Sequence, residues 1–299
     1  MHQRRYAIVE APSVLGLRPS GVEHLAEALL RDGLAERLEA RLVGRVAPPA
    51  WSGRIDPVTK TLNAESIARW SPILADAVEG VLDAGQFPIA LGGDCTILLG
   101  TTLALRRRGR YGLLFIDGHA DFYQPEAEPK GEGASMELAL ATGHGPPLLA
   151  NIEGRGPLVA VEDVVAFGFR DHAAQIEYGS QPLPESLMAL DLPAVRRLGI
   201  HEAARRATAH LTRPELDGFF IHLDADCLDD AIMPAVDDRL PGGLGAAELR
   251  EALRMAMATG RVVGVEVTIY NPNLDEGGAA GRLLGSIIAD ALGTRAPTA

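Results

Sequence analysis

Three short segments of this sequence carry side chains whose types and spacing suit metal chemistry. They are Gly92-Gly93-Asp94-Cys95, Asp117-Gly118-His119-Ala120-Asp121 and Asp224-Ala225-Asp226, the last followed by Cys227, Asp229 and Asp230. On an extended chain, residues two apart point the same way. Asp117 and His119 can therefore face one point, as can Asp224 and Asp226, with Asp121 joining where the chain turns. Carboxylates gathered around one imidazole repel unless cations neutralise them. Such donors suit Mn2+, Fe2+, Ni2+ or Zn2+. They also exceed what one ion takes, so the set implies two ions about 3.5–4 Å apart that share carboxylates and activate a bridging water. A lone Asp-x-His-x-Asp is better explained by a helix cap and a structural histidine. Two aspartate-rich strand ends in one chain, with Cys95 at a comparable place, favour the metal site.

Something must hold those segments together. Nearly continuous apolar runs predict strands at Tyr6–Glu10, Pro88–Leu91, Gly112–Ile116, Val164–Gly168, Gly218–Leu223 and Val262–Val267, as suits strands covered on both faces. Apolar residues three and four apart predict helices at Gly21–Arg31, Glu65–Ala84, Thr96–Arg108, Ser135–Thr142, Ala194–Ala209, Gly245–Ala258 and Ala279–Leu292. Strand–helix alternation of this kind reads as a mostly parallel sheet wrapped by helices. Ligands of such sheets lie beyond the carboxyl ends of the strands, where the three segments fall. No Ser- or Gly-rich linker divides the chain, so residues 1–299 read as one domain.

Composition narrows the partners. Across 299 residues, 28 Lys and Arg against 40 Asp and Glu give a net charge of −12. That argues against nucleic acid or an anionic membrane and favours a cationic ligand. No apolar run approaches the roughly 20 residues of a spanning helix, and the amino terminus lacks the apolar stretch of a secretory signal. With only two cysteines, Cys95 and Cys227, the expected compartment is a reducing cytoplasm. A pairing between those two thiols stays open.

The three segments, taken together, resemble the ureohydrolases: arginase, agmatinase, formiminoglutamase and their relatives. Gly92-Gly93-Asp94-Cys95 resembles that family's Gly-Gly-Asp-His block, Asp117-Gly118-His119-Ala120-Asp121 its Asp-Ala-His-x-Asp, and His222-Leu223-Asp224-Ala225-Asp226 its Ser-x-Asp-x-Asp. Phe167-Gly168-Phe169-Arg170-Asp171 is similar to the arginase Gly-Leu-Arg-Asp segment, and softer likeness runs from Gly21 to Asn271-Pro272. The resemblance implies a three-layer α-β-α fold and a binuclear centre, with manganese as the family metal and zinc, iron or nickel admitted by Cys95. It implies that one ion is held by Cys95, Asp117, Asp121 and Asp224, and the other by His119, Asp117, Asp224 and Asp226. A metal-bridging hydroxide would attack the planar carbon of a guanidino or amidino compound and cleave a non-peptide C–N bond. Asp121 would accept a hydrogen bond from that hydroxide and move its proton. By the same resemblance the chain is expected to form homo-oligomers.

The chain departs from the family pattern at several places. Cys95 stands where the pattern has His, and a thiolate prefers zinc to manganese. The family's His-Gly-Met-Pro segment falls on Ala134-Ser135-Met136-Glu137. Ala134 carries no proton, which leaves Glu137 as the catalytic acid if burial raises its pKa. Ile269 falls where arginase holds the guanidinium with a carboxylate, and Glu266 takes a nearby acidic position. Tyr123 and Lys130 stand where arginase grips the substrate carboxylate, while Asp171 matches its α-amino contact or caps the helix that follows. Glu266, Asp171 and Lys130 are thus the candidate substrate contacts, and ordinary L-arginine is not the favoured substrate. His144, His172, His201, His210 and His222 read as structural or surface groups. A zinc deacetylase-like amidohydrolase and a catalytically silent binding protein are the alternatives. Two ions, one zinc or none would tell the three apart.

Overall fold

The structure, a computed structural model, describes residues 4–293; the domain expected over residues 1–299 extends past the described residues at both ends. Eight strands, β1 (Tyr6–Glu10), β2 (Arg41–Arg45), β3 (Phe87–Leu91), β4 (Tyr111–Ile116), β5 (Val164–Phe167), β6 (Met188–Leu190), β7 (Gly218–Asp224) and β8 (Val262–Thr268), form one sheet in the order β2-β1-β3-β8-β7-β4-β5-β6. Every pairing is parallel, so the sheet goes beyond the mostly parallel one anticipated.

Alternation along β4 shows how the layers arise. Leu113 and Phe115 point into one core with the helices Ala64–Asp83 and Ile97–Arg106. Leu114 and Ile116 point into a second core with Leu25–Arg31, Ile200–Leu211, Ala246–Ala258 and Ala279–Leu292. Both sides of the strand are dry, so both must be apolar. This is the three-layer α-β-α sandwich. Among the described residues no helix is long and apolar enough to cross a membrane.

Two strands and one helix break depart from the sequence expectation. β2 is exposed along its whole length and β6 spans three residues. Both lie at sheet edges, where no apolar run is needed. The helix anticipated over Ala194–Ala209 is two, Leu192–Leu198 and Ile200–Leu211, split at Gly199, whose φ of 78° no right-handed helix admits. The segment Gly21–Arg31 opens with a 3-10 turn over Val22–His24 before its α-helix begins at Leu25.

Candidate metal centre

The carboxyl ends of β3, β8, β7 and β4, neighbours at the middle of the sheet, supply the site. After β3, the backbone of Gly93 runs against Ser13; a Cβ there would sit 1.9 Å from the Ser13 carbonyl oxygen. Only glycine allows that approach. Asp94 then turns away from the site, accepting hydrogen bonds from the Ser13 hydroxyl (2.5 Å) and the Thr96 amide (2.8 Å), which leaves Cys95 facing the cluster. After β4, the His119 amide donates to Asp117 Oδ1 (2.7 Å) and the Gly118 amide to Asp226 Oδ1 (2.9 Å). Asp226 in turn donates its amide to Asp224 Oδ1 at 2.8 Å. The turns are thus cross-braced by the carboxylates they present.

Two groups of donor atoms result, each within 4.8 Å: Asp117, His119 and Asp226 at the outer end, and Cys95, Asp117, Glu137 and His222 deeper. In the outer group His119 Nδ1 lies 2.9 Å from Asp226 Oδ2 and 3.7 Å from Asp117 Oδ1. In the inner group His222 Nε2 lies 3.5 Å from Asp117 Oδ2, while its Nδ1 is 2.7 Å from Glu266 Oε1. Cys95 Sγ donates to Asp224 Oδ2 at 2.9 Å, and Thr268 Oγ1 donates to the same oxygen at 3.0 Å. Asp121 carries a left-handed φ of 44° and is almost fully buried.

The electrostatics are unbalanced. Burial pushes Asp121, Glu137 and Asp224 well above the ordinary carboxylate range, with neighbouring carboxylates adding to the effect. It also raises the Cys95 thiol, with Asp224 next in importance. Burial disfavours charge on Asp117 too, but His119 and His222 outweigh it and hold that carboxyl below the usual range. Against the same burial, Asp117 and Glu266 push His222 up to about 10, and Asp226 and Asp117 raise His119 well above its ordinary value. Buried and without a hydrogen-bond partner are Asp117 Oδ2, both Glu137 oxygens, Asp171 Oδ2, His119 Nε2 and His222 Nε2. Buried polar atoms are ordinarily paired. Orphaned carboxylate and imidazole atoms gathered beside a buried thiol fit divalent cations.

A cavity of about 720 Å³ opens over these groups. Its wall holds Asp121, Glu128, Glu132, Glu177, Asp224, Asp226, Asp237 and Asp238 against Arg18 and Lys130, so its field favours a cation. Arg170 shapes the rim, donating to the carbonyls of Asp226 (3.0 Å), Leu240 (2.9 Å) and Pro241 (3.2 Å).

The Arginase family profile matches residues 21–293. The chain belongs to the arginase family. It is 30% identical to the arginase of Bacillus caldovelox, an alignment covering 96% of this chain and 98% of that one. The solved structure of that arginase superposes with a TM-score of 0.87 at 28% identity, over 98% of this chain and 99% of that one. The arginase from Bacillus cereus gives 0.85 at 25% identity, over the same shares.

The structure gathers Cys95, Asp117, His119, Asp121, Glu137, Asp224 and Asp226 at one end of the sheet, and of these Cys95, His119, Asp121, Asp224 and Asp226 line the cavity. Lys130 is at the rim, largely exposed, 3.6 Å from Glu132. Asp171 is buried below, accepting from the Ala120 amide (3.2 Å) and the Gln175 side chain (2.8 Å); it makes no side-chain cap of the helix His172–Tyr178. Glu266 is fully buried and reaches His222 and Thr101 (2.6 Å). Both cysteines are free, buried thiols. His222 is the residue that sequence reasoning passed over. The signal was its place in the family's Ser-x-Asp-x-Asp block, where an imidazole is out of pattern.

Proposed function

We propose that this chain is a metal-dependent hydrolase that cleaves a non-peptide C–N bond of a cationic guanidino or amidino compound. The observation that carries the reading is the buried, acid-rich donor cluster, with unpaired oxygens and nitrogens, at the carboxyl ends of the central strands of an arginase-family chain. Two divalent ions would be held by Asp117, Asp224, Asp226, His119, Cys95 and Asp121. When bound, such ions polarise the substrate and lower the pKa of a coordinated water.

The chain's own groups do the rest. Asp121, whose burial disfavours its charge until cations bind beside it, would accept the proton of the attacking water as the ionised carboxylate. Glu137, buried and held protonated, is the acid nearest the cluster for the leaving amine, a task that Ala134 cannot perform. The acidic wall draws in the cation. At the rim, Lys130 would orient the part of the substrate remote from the reacting carbon, while Asp171, which does not line the cavity, and Glu266 act from beneath the site. The thiol at Cys95 shifts metal preference from manganese towards zinc. We read residues 1–299 as one arginase-like domain of a cytoplasmic enzyme, in keeping with its two free thiols, that assembles into homo-oligomers as its family does.

The test is metal content of the purified protein together with urea release over a panel of guanidino and amidino compounds. Two equivalents and turnover of at least one compound support the proposal. A protein that binds two ions and releases neither urea nor amine from any of them would exclude catalysis of this class.

A further inference from the structure

We infer that the deeper ion would be held by Cys95 Sγ, Asp117 Oδ2, Glu137 and His222 Nε2, a four-donor site of mixed sulfur, nitrogen and oxygen atoms. The inference rests on the metal-dependent reading above and changes which residues carry one of its two ions: Glu137, ionised as a ligand and so released from the role of acid to the leaving amine, and His222 take the places that the family pattern gives to Asp121 and Asp224.

The geometry makes the case. One donor atom from each of the four residues falls within 4.8 Å of every other, and all four side chains are buried to within 1%. They arrive from four separate places: the turn after β3, the end of β4, the start of the helix Glu137–Ala141 and the body of β7. Asp117 Oδ2, His222 Nε2 and both oxygens of Glu137 have no hydrogen-bond partner. By contrast, Asp224 is already engaged through both oxygens, by the Asp226 amide on one side and by Cys95 and Thr268 on the other.

His222 is prepared as a ligand. Its Nδ1 is tied to Glu266 at 2.7 Å, Glu266 is braced by Thr101 at 2.6 Å, and the ring lies flat on Phe115 with centroids 4.5 Å apart. A carboxylate on one ring nitrogen fixes the tautomer and aims the other nitrogen's lone pair, the arrangement that supports metal-bound histidine. Glu266 is accordingly a positioning residue. Against the family blocks, the imidazole missing at Cys95 reappears at His222. Asp117 presents Oδ2 to the inner group and Oδ1 to the outer one, so a single carboxylate joins both sites. The inner donors suit zinc, and the outer group of His119, Asp117 and Asp226 suits a harder ion such as manganese.

X-ray absorption on the wild-type protein, stripped of metal and given one equivalent of zinc, decides the matter. The expected spectrum shows one sulfur at about 2.3 Å and one imidazole nitrogen at about 2.0 Å on the same ion. Sulfur without imidazole returns the ion to the family set, and imidazole without sulfur puts it in the outer group; either result overturns the inference. Cobalt titration of His222→Ser and Glu137→Gln provides an independent check. In each folded variant, one equivalent should weaken by more than about 100-fold, beyond the loss that removal of a supporting hydrogen bond causes, while Asp121→Asn keeps the thiolate charge-transfer band. Unchanged cobalt affinity in both variants overturns the inference while leaving the metal-dependent reading intact. A wild-type protein that takes up no zinc, cobalt or manganese overturns both.

Discussion

The outer and inner donor groups share Asp117 and differ in almost everything else. In the outer group His119 is already paired with Asp226 at 2.9 Å and lies near the exposed Asp238, 3.7 Å from its other nitrogen. Its charges are partly answered by these neighbours at the cavity wall. In the inner group the donors are dry, and most have nothing to bond. Charge gathered near solvent is tolerable, whereas the same charge sealed below it is not. The inner group therefore depends more heavily on a cation, whereas the outer group can keep its shape without one.

The sharpest attack on this contrast is Asp117→Asn, which removes the bridge. It should abolish binding of both equivalents and cut turnover by roughly 10³-fold, since metal polarisation contributes several kcal/mol to the transition state. Metal analysis and urea release read the two effects together. Loss of one equivalent only would break the idea that one carboxylate serves both groups.

Acidity probes the inner group next. Asp121, Glu137 and Asp224 have folded pKa values raised above their unfolded ones, so the stability they contribute is present when protonated and is lost as pH rises. His222, pushed up to about 10, contributes stability that is full below its unfolded value and is lost as pH climbs towards 10. Asp117, with a lowered pKa, contributes stability above its unfolded value and loses it only in strong acid. Between about pH 5 and 10, then, the metal-free protein should melt at progressively lower temperature as pH increases. The zinc-loaded protein should show the opposite trend up to neutrality, because metal binding displaces those protons. Parallel melting curves for the two forms would contradict a proton-for-metal exchange.

Smaller changes separate the groups further. Glu266→Gln should weaken the inner equivalent by about 10–100-fold and leave the outer one within twofold, as read by competition with a chromophoric chelator. At the rim, Lys130→Ala should alter stability by no more than about 0.5 kcal/mol, with any effect confined to KM and kcat unchanged. A fall in kcat would place Lys130 closer to the chemistry than its exposure suggests.

Much of this was visible in the sequence, for physical reasons that differ from place to place. The central strands must be apolar on both faces, so β3, β4, β7 and β8 announce themselves, and so do the aspartates that interrupt them at their ends. β2 could not be seen: its residues Arg41–Arg45 are all exposed, and an edge strand needs only backbone pairing. The single helix expected over Ala194–Ala209 overlooked Gly199, since one glycine inside a periodic pattern is often tolerated. In the site, Asp117 and His119 could be read together because period two places them on one side. His222 and Glu266 could not. They lie within apolar runs of β7 and β8, where a lone polar residue reads as a satisfied core group, and only their registry across the sheet, His222 beside Glu266, shows that each serves the other. Glu137 was recognised as an acid, but its complete burial depends on packing between elements distant in sequence.

The Arg170 guanidinium has one more effect. By gripping the carbonyls of Asp226, Leu240 and Pro241, it fastens the lip of the opening to the loop beneath it, so the two move as one piece. Lysine, with a single ammonium in place of a planar fork, could not grip all three carbonyls in this geometry, and the lip would then be able to swing without disturbing the floor.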